Sequence, residues 1–109
     1  MATSYKVLGQ SNPAATTATT LYTVPSATNT VVSTVVICNQ AASAATFRIA
    51  VRPAGASLAA QHYVAYDVTV GASDSTALTL GLTLAATDVI TVYGSTATLS
   101  FSAFGSEIA

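Results

Sequence analysis

Leu78, Leu80, Leu82 and Leu84 interleave with Ala77, Thr79, Gly81 and Thr83. This period of two is how a β-strand sends one row of side chains to a core and the next to water. The same rhythm sets Phe47, Ile49 and Val51 against Arg48, Ala50 and Arg52, and Val64, Tyr66, Val68 and Val70 against Tyr63, Ala65, Asp67 and Thr69. Both stretches are therefore expected to be half-buried strands, with the first-named rows inward. Ala97, Leu99, Phe101 and Ala103 alternate with Thr98, Ser100 and Ser102 in a further strand, whereas Val31 to Cys38 is apolar on both faces apart from Ser33 and Thr34. A run apolar on both faces suits a strand in the middle of a sheet. Shorter runs at Tyr5 to Leu8, Thr20 to Val24 and Val89 to Tyr93 bring the total to about eight strands.

Turn-forming residues fall between these runs: Ser11-Asn12-Pro13, Pro25-Ser26, Asn39-Gln40, Pro53-Ala54-Gly55, Gly71 to Ser75, Ala86-Thr87-Asp88 and Gly94-Ser95. Gly and Pro set the special backbone angles, and Asn, Asp and Ser accept local hydrogen bonds. The Ala-rich segment Ala54 to Gln61 could close a helical turn but is too short for an independent helix, so it is expected to link two strands. No repeat of fixed period divides the chain. The expectation is one all-β domain over residues 1–109, a single antiparallel β-sandwich or jelly roll of about eight strands.

Composition changes the picture in one respect. Only 6% of the 109 residues are charged, against about 25% in an ordinary soluble domain. Thr, Ser and Ala take their place, so the surface is wet but weakly self-repelling, and burial against other protein copies is favoured. Lys6, Arg48 and Arg52 are the only Lys or Arg residues, too few for a basic groove, so nucleic acid is not an expected partner. No charged stretch followed by an apolar segment opens the chain, and no apolar run is long enough to cross a bilayer. Neither a signal peptide nor a membrane partner is expected.

The inventory for chemistry is thin. His62 is the only imidazole; Asp67 stands five positions on, an odd spacing that puts the two on opposite faces of a regular strand, so no orienting pair for a nucleophile is expected. His62 reads instead as a residue at the start of a strand or at an interface. Cys38, in Val35-Val36-Ile37-Cys38, is the only cysteine and reads as a buried thiol. Asp74 and Asp88 sit where turns want a short acceptor. With only four acids and no paired acidic motif, a calcium site, which gathers six or more oxygen ligands, is not expected, and the scattered glycines make no phosphate-cradling loop. No cofactor, metal or catalytic residue is expected. Five tyrosines without a tryptophan leave a carbohydrate-binding module as a distant alternative. Arg48 and Arg52 share the outward face of one strand, where like charges repel unless an acid lies nearby, and Asp67 on the next strand is the expected partner of at least one. Arg48, Arg52, His62, Tyr63 and Asp67 are accordingly the residues expected at an interface.

Several segments together carry a resemblance: Tyr5 to Gln10, Leu21 to Pro25, Thr46 to Gly55, His62 to Asp67, Leu84 to Val89 and the closing Phe104-Gly105-Ser106-Glu107-Ile108. Across nearly its whole length the chain resembles small virion structural proteins of tailed bacteriophages, particularly those infecting cyanobacteria and marine bacteria. That resemblance implies a virion component made in the host cytoplasm. The expected role is a head decoration, or cement, protein that bridges capsid subunits, with neck, tail or baseplate as the alternative. The implied partners are the major capsid protein or other virion proteins, and the chain itself as a trimer or dimer.

Overall fold

In the computed structural model, which describes residues 2–109, the chain forms nine strands. They are β1 (Thr3–Ser11), β2 (Thr19–Thr23), β3 (Asn29–Asn39), β4 (Ala45–Arg52), β5 (Tyr63–Val70), β6 (Ser75–Leu78), β7 (Leu82–Leu84), β8 (Val89–Gly94) and β9 (Leu99–Ile108). One sheet runs β1-β9-β3-β6, with β7 also on β3; the other runs β2-β8-β4-β5, and every pairing is antiparallel. Outer pairs enclose inner ones: β1 with β9, β2 with β8, β3 with β6 and β7, β4 with β5. The chain is thus one long hairpin, its tip at β4–β5, wound about its own core, which is the connectivity of a jelly roll. Two short 3-10 turns, Pro53–Gly55 and Ala60–His62, occupy the Ala-rich link between β4 and β5.

The core is built from the inward rows that alternation marks. Phe47 and Ile49 of β4, Ile90 and Val92 of β8, Val32, Val35 and Ile37 of β3, and Leu99, Phe101 and Ala103 of β9 are all buried. Phe47 and Phe101 meet edge to face between the sheets, ring centres 6.1 Å apart. Strand β3 is central, as its two-faced apolarity predicts, paired with β9 on one side and with β6 and β7 on the other. Asn39 closes its end: its amide donates to the carbonyls of Ser43, Val70 and Gly71, and its side-chain oxygen accepts from Ala41 N–H and the Thr98 hydroxyl. Asp74 caps the amide of Ser75, and Asp88 caps those of Ala54 and Ala85, the turn roles their positions suggest. Cys38 is half-buried rather than enclosed, because it lies on the outer row of β3.

Register shifts occur at Val7/Gly9 in β1, Thr20/Tyr22 in β2, Val32/Thr34 in β3 and twice along β4–β5, and an extra residue changes two of the runs read as alternating strands. The Leu78 to Leu84 run is not one strand: β6 pairs Leu78 with Val35, β7 pairs Leu82 with Val32, and the link over 79–81 carries one residue more than the matching stretch of β3. Gly81 adopts φ +63° there, and Leu80 turns to solvent. In β5 the pairing shifts between Phe47–Val68 and Ile49–Ala65, and Asp67 adopts φ +52°. The extra residue flips the phase, so Ala65 faces the core while Val64 and Tyr66 point outward, the reverse of the expected order.

Glycine is required where strands approach without room for a side chain. A Cβ on Gly105 would lie 2.0 Å from the Val31 carbonyl oxygen, and one on Gly9 2.2 Å from that of Leu21. Gly81 has open space around it and only its positive φ to protect. Gly105→Ala must push β9 from β3 and is expected to cost about 3 kcal/mol or more, whereas Gly81→Ala costs about 1 kcal/mol from backbone strain alone. Urea unfolding of the two variants checks this order, and equal losses would contradict it.

Candidate functional site

The outward face of the β2-β8-β4-β5 sheet gathers most of the residues expected at an interface. Arg48 of β4 sits beside Tyr93 of β8, its register partner, and opposite the bulge that carries Asp67. Its Nε donates to Asp67 Oδ1 at 2.7 Å and its Nη2 to Oδ2 at 3.3 Å, a two-pronged pair. The guanidinium carbon lies 4.1 Å from the centre of the Tyr66 ring and 4.4 Å from that of Tyr93. The Asp67 carboxylate raises the Arg48 pKa above its ordinary value, so the cation is permanent. Asp67 reaches Arg48 through the bulge, and the same bulge turns Tyr66 outward. Local twist thus builds the whole cluster from a single extra residue.

Arg52, four residues on, finds no acid. Its Nε donates to the Thr91 hydroxyl at 3.0 Å, and its Nη1 to the carbonyls of Gly55 at 3.4 Å and Ala56 at 3.0 Å. It therefore fastens the first 3-10 turn to the sheet. His62 is buried at the end of the second turn, where its Nδ1 accepts from the Ala59 amide at 3.1 Å. It holds the entrance to β5 and presents little surface of its own. Tyr63 stands edge to face with Tyr66, ring centres 5.0 Å apart, and the two line an open groove of about 520 Å³ with Leu58, Ala59 and Ala60. Leu58, Tyr66 and Tyr93 are members of this surface that alternation alone does not find. The phase slip at Asp67 hides the direction of Tyr66, and the link carrying Leu58 has no period to read.

The other sheet has its own outward apolar area. Tyr5 and Val7 of β1, exposed by 84% and 48%, stand beside Phe104 and Gly105 of β9 and Val31 of β3 around a shallow depression of about 540 Å³. Inside its rim lies the other charge cluster. Lys6 Nζ is 2.7 Å from Glu107 Oε1, and the buried Tyr22 hydroxyl donates to Glu107 Oε2 and lies 2.9 Å from the Thr30 hydroxyl. These contacts join β1, β2, β3 and β9 at one corner of the sandwich. The Lys6 ammonium first, and the Tyr22 hydroxyl second, hold the Glu107 carboxyl below the usual carboxylate range. Burial and the neighbouring carboxylate push the Tyr22 phenol up to about 12.

Among the described residues no three His, Cys, Asp or Glu side chains gather closely enough to hold a metal ion. Every described buried side-chain polar atom has a hydrogen-bond partner, so none is left aimed into a cavity. No described helix is long and apolar enough to cross a membrane. The chain matches no family model, and neither a curated protein nor a solved structure is significantly similar to it.

The Tyr22 cluster fixes a pH response. Glu107 ionises more readily folded than unfolded, so its contribution is complete above the unfolded value of about 4.3 and is lost as pH falls through the folded value. Tyr22 resists ionisation when folded, so its contribution is complete below about 10 and is lost as pH rises towards about 12. Tyr22→Phe is expected to cost about 1–2 kcal/mol at neutral pH, to flatten the alkaline limb and to move acid unfolding to higher pH. Urea midpoints of wild type and variant across the pH range test all three effects, and parallel curves would contradict them.

Proposed function

We propose that this chain is a structural component of a bacteriophage virion, a decoration protein that seats on the head shell and bridges its subunits. The observation that carries this reading is the character of its exterior. A jelly roll with very few ions exposes Tyr5, Val7, Val64 and Tyr66 on its sheets and Leu58 and Leu80 on the links between strands. Such faces gain by leaving water and meet almost no charge repulsion when they dock. Jelly rolls serve viral shells and lectins alike, so the fold only accommodates the role and the surface argues for it. The resemblance to small tailed-phage virion proteins points the same way, and the major capsid protein is the proposed partner.

Self-association as a dimer or trimer belongs to this reading, since repeated weak contacts on a symmetric shell act together. Neck, tail or baseplate is the alternative position within the particle. A specific observation favours one further reading, a sugar-binding module: Tyr63, Tyr66 and Leu58 line an open groove that could take a pyranose ring.

Quantitative mass spectrometry of purified particles separates these readings. A head decoration protein is expected in hundreds of copies per particle, and a tail or collar component in tens or fewer, following shell and tail symmetry. Absence from the particle, together with glycan binding that is abolished by Tyr66→Ala, would replace the virion role with the sugar-binding one.

A further inference from the structure

Sheet edges are where a β-protein must guard against pairing with another chain, and they are usually blunted by bulges, short strands or cover from a neighbouring element. Three of the four edges here are blunted in this way. Edge β5 carries the bulge at Asp67, and the β6 and β7 edge is two short pieces broken over 79–81. Edge β2 is five residues long with a shift between Thr20 and Tyr22, and β1 packs against it so closely that Gly9 has no room for a Cβ beside Leu21. The fourth edge, the first half of β1, has none of these devices. Thr3 to Val7 pair with β9 without a shift, and all five residues are exposed.

The direction of the free backbone groups follows from the pairing. Ala2 and Ala109 exchange two hydrogen bonds, of 2.9 and 2.8 Å. Antiparallel alternation then turns the amides of Ser4 and Lys6 towards β9, and those of Thr3, Tyr5 and Val7 towards the open edge. No described strand lies on that side. The edge also carries Tyr5 and Val7, the first the most exposed large apolar side chain among the described residues. Lys6, the single charge on β1, is already held by Glu107 at 2.7 Å.

We infer that β1 pairs antiparallel with β1 of a second copy, about a two-fold axis at Tyr5, joining the two larger sheets into one. In this register Thr3 faces Val7 of the second copy and Tyr5 faces its counterpart, so every outward N–H meets an outward carbonyl. On the order of six hydrogen bonds form. Lys6 faces Ser4 of the second copy rather than the other Lys6, which keeps like charges out of register. The symmetric fit is what favours a second copy over an unrelated extended segment. Only five residues pair on each side, so the contact falls short of the roughly 1,000 Å² of a stable interface. The dimer is therefore weak in dilute solution and effective where many copies sit on one surface. The inference rests on the self-association proposed above and assigns it to a surface.

Disulfide trapping of the free protein tests it. In a Cys38→Ser background, Tyr5→Cys places two thiols on backbones about 5.5 Å apart and is expected to give covalent dimer on mild oxidation, while Ser4→Cys, which faces Lys6, is not. Sedimentation of the unmodified protein should show a concentration-dependent monomer–dimer equilibrium, which Tyr5→Pro abolishes without altering the circular dichroism. Equal trapping at both positions, trapping at neither, a dimer that survives Tyr5→Pro, or a monomer at all concentrations would overturn the pairing. No particle is involved, so a dimer that never appears in virions would refute the virion role and leave the edge pairing intact.

Discussion

The inner faces of two sheets, pressed together around Phe47 and Phe101, hold this molecule in shape. No disulfide joins its strands, since Cys38 stands alone, and the two ion pairs found lie outside the hydrophobic core. Burial of aliphatic and aromatic rows is therefore the dominant stabilising term, and it dictates register. A one-residue slip would carry a whole row from core to water. The close approaches at Gly9 and Gly105 are the local signature of that constraint. They are places where the backbones come nearer than any side chain would allow.

Bulges then decide what the exterior looks like. Outward rows carry much Thr, Ser and Ala, although Tyr5 and Val7 emerge on the unshifted stretch of β1. Where an extra residue flips the phase, apolar side chains emerge: Tyr66 beside Asp67, and Leu80 beside Gly81. The Arg48 cluster follows from the first of these. Asp67 orients the guanidinium, and the cation draws the Tyr66 and Tyr93 rings against its faces. A sparsely charged chain has thus placed its one two-pronged ion pair among aromatic rings, a composition common in protein contact surfaces.

Much of the fold is legible in the chain because alternation is a strong signal. Strands β4 and β8 fall where Phe47 to Val51 and Val89 to Tyr93 place them, and β3 is central as its apolar run suggests. The Arg48–Asp67 pair is also legible, since two like charges on one strand face call for an acid on the next. Phase is harder to read than period. Nothing in Val64-Ala65-Tyr66-Asp67 announces a positive φ at Asp67, a conformation that Asp tolerates but does not demand. Position within a sheet is likewise silent. Tyr5 and Tyr22 both sit in short alternating runs, yet one is at an open edge and the other is buried against Glu107 and Thr30. That difference comes from strand order, which local sequence does not encode.

The docking role proposed here requires so lightly charged a chain to hold its partner through apolar and hydroxyl-bearing faces. Such contacts are scarcely screened by salt, unlike those made by charged surfaces. The proposed virion role is tested most directly by isolating particles, stripping them of any copies they carry and rebinding the purified chain, with bound copies counted from low salt to about 0.5 M. Saturable rebinding at a copy number unchanged across that range is the expected result. Failure to rebind, or a bound fraction that collapses as salt rises, would contradict it.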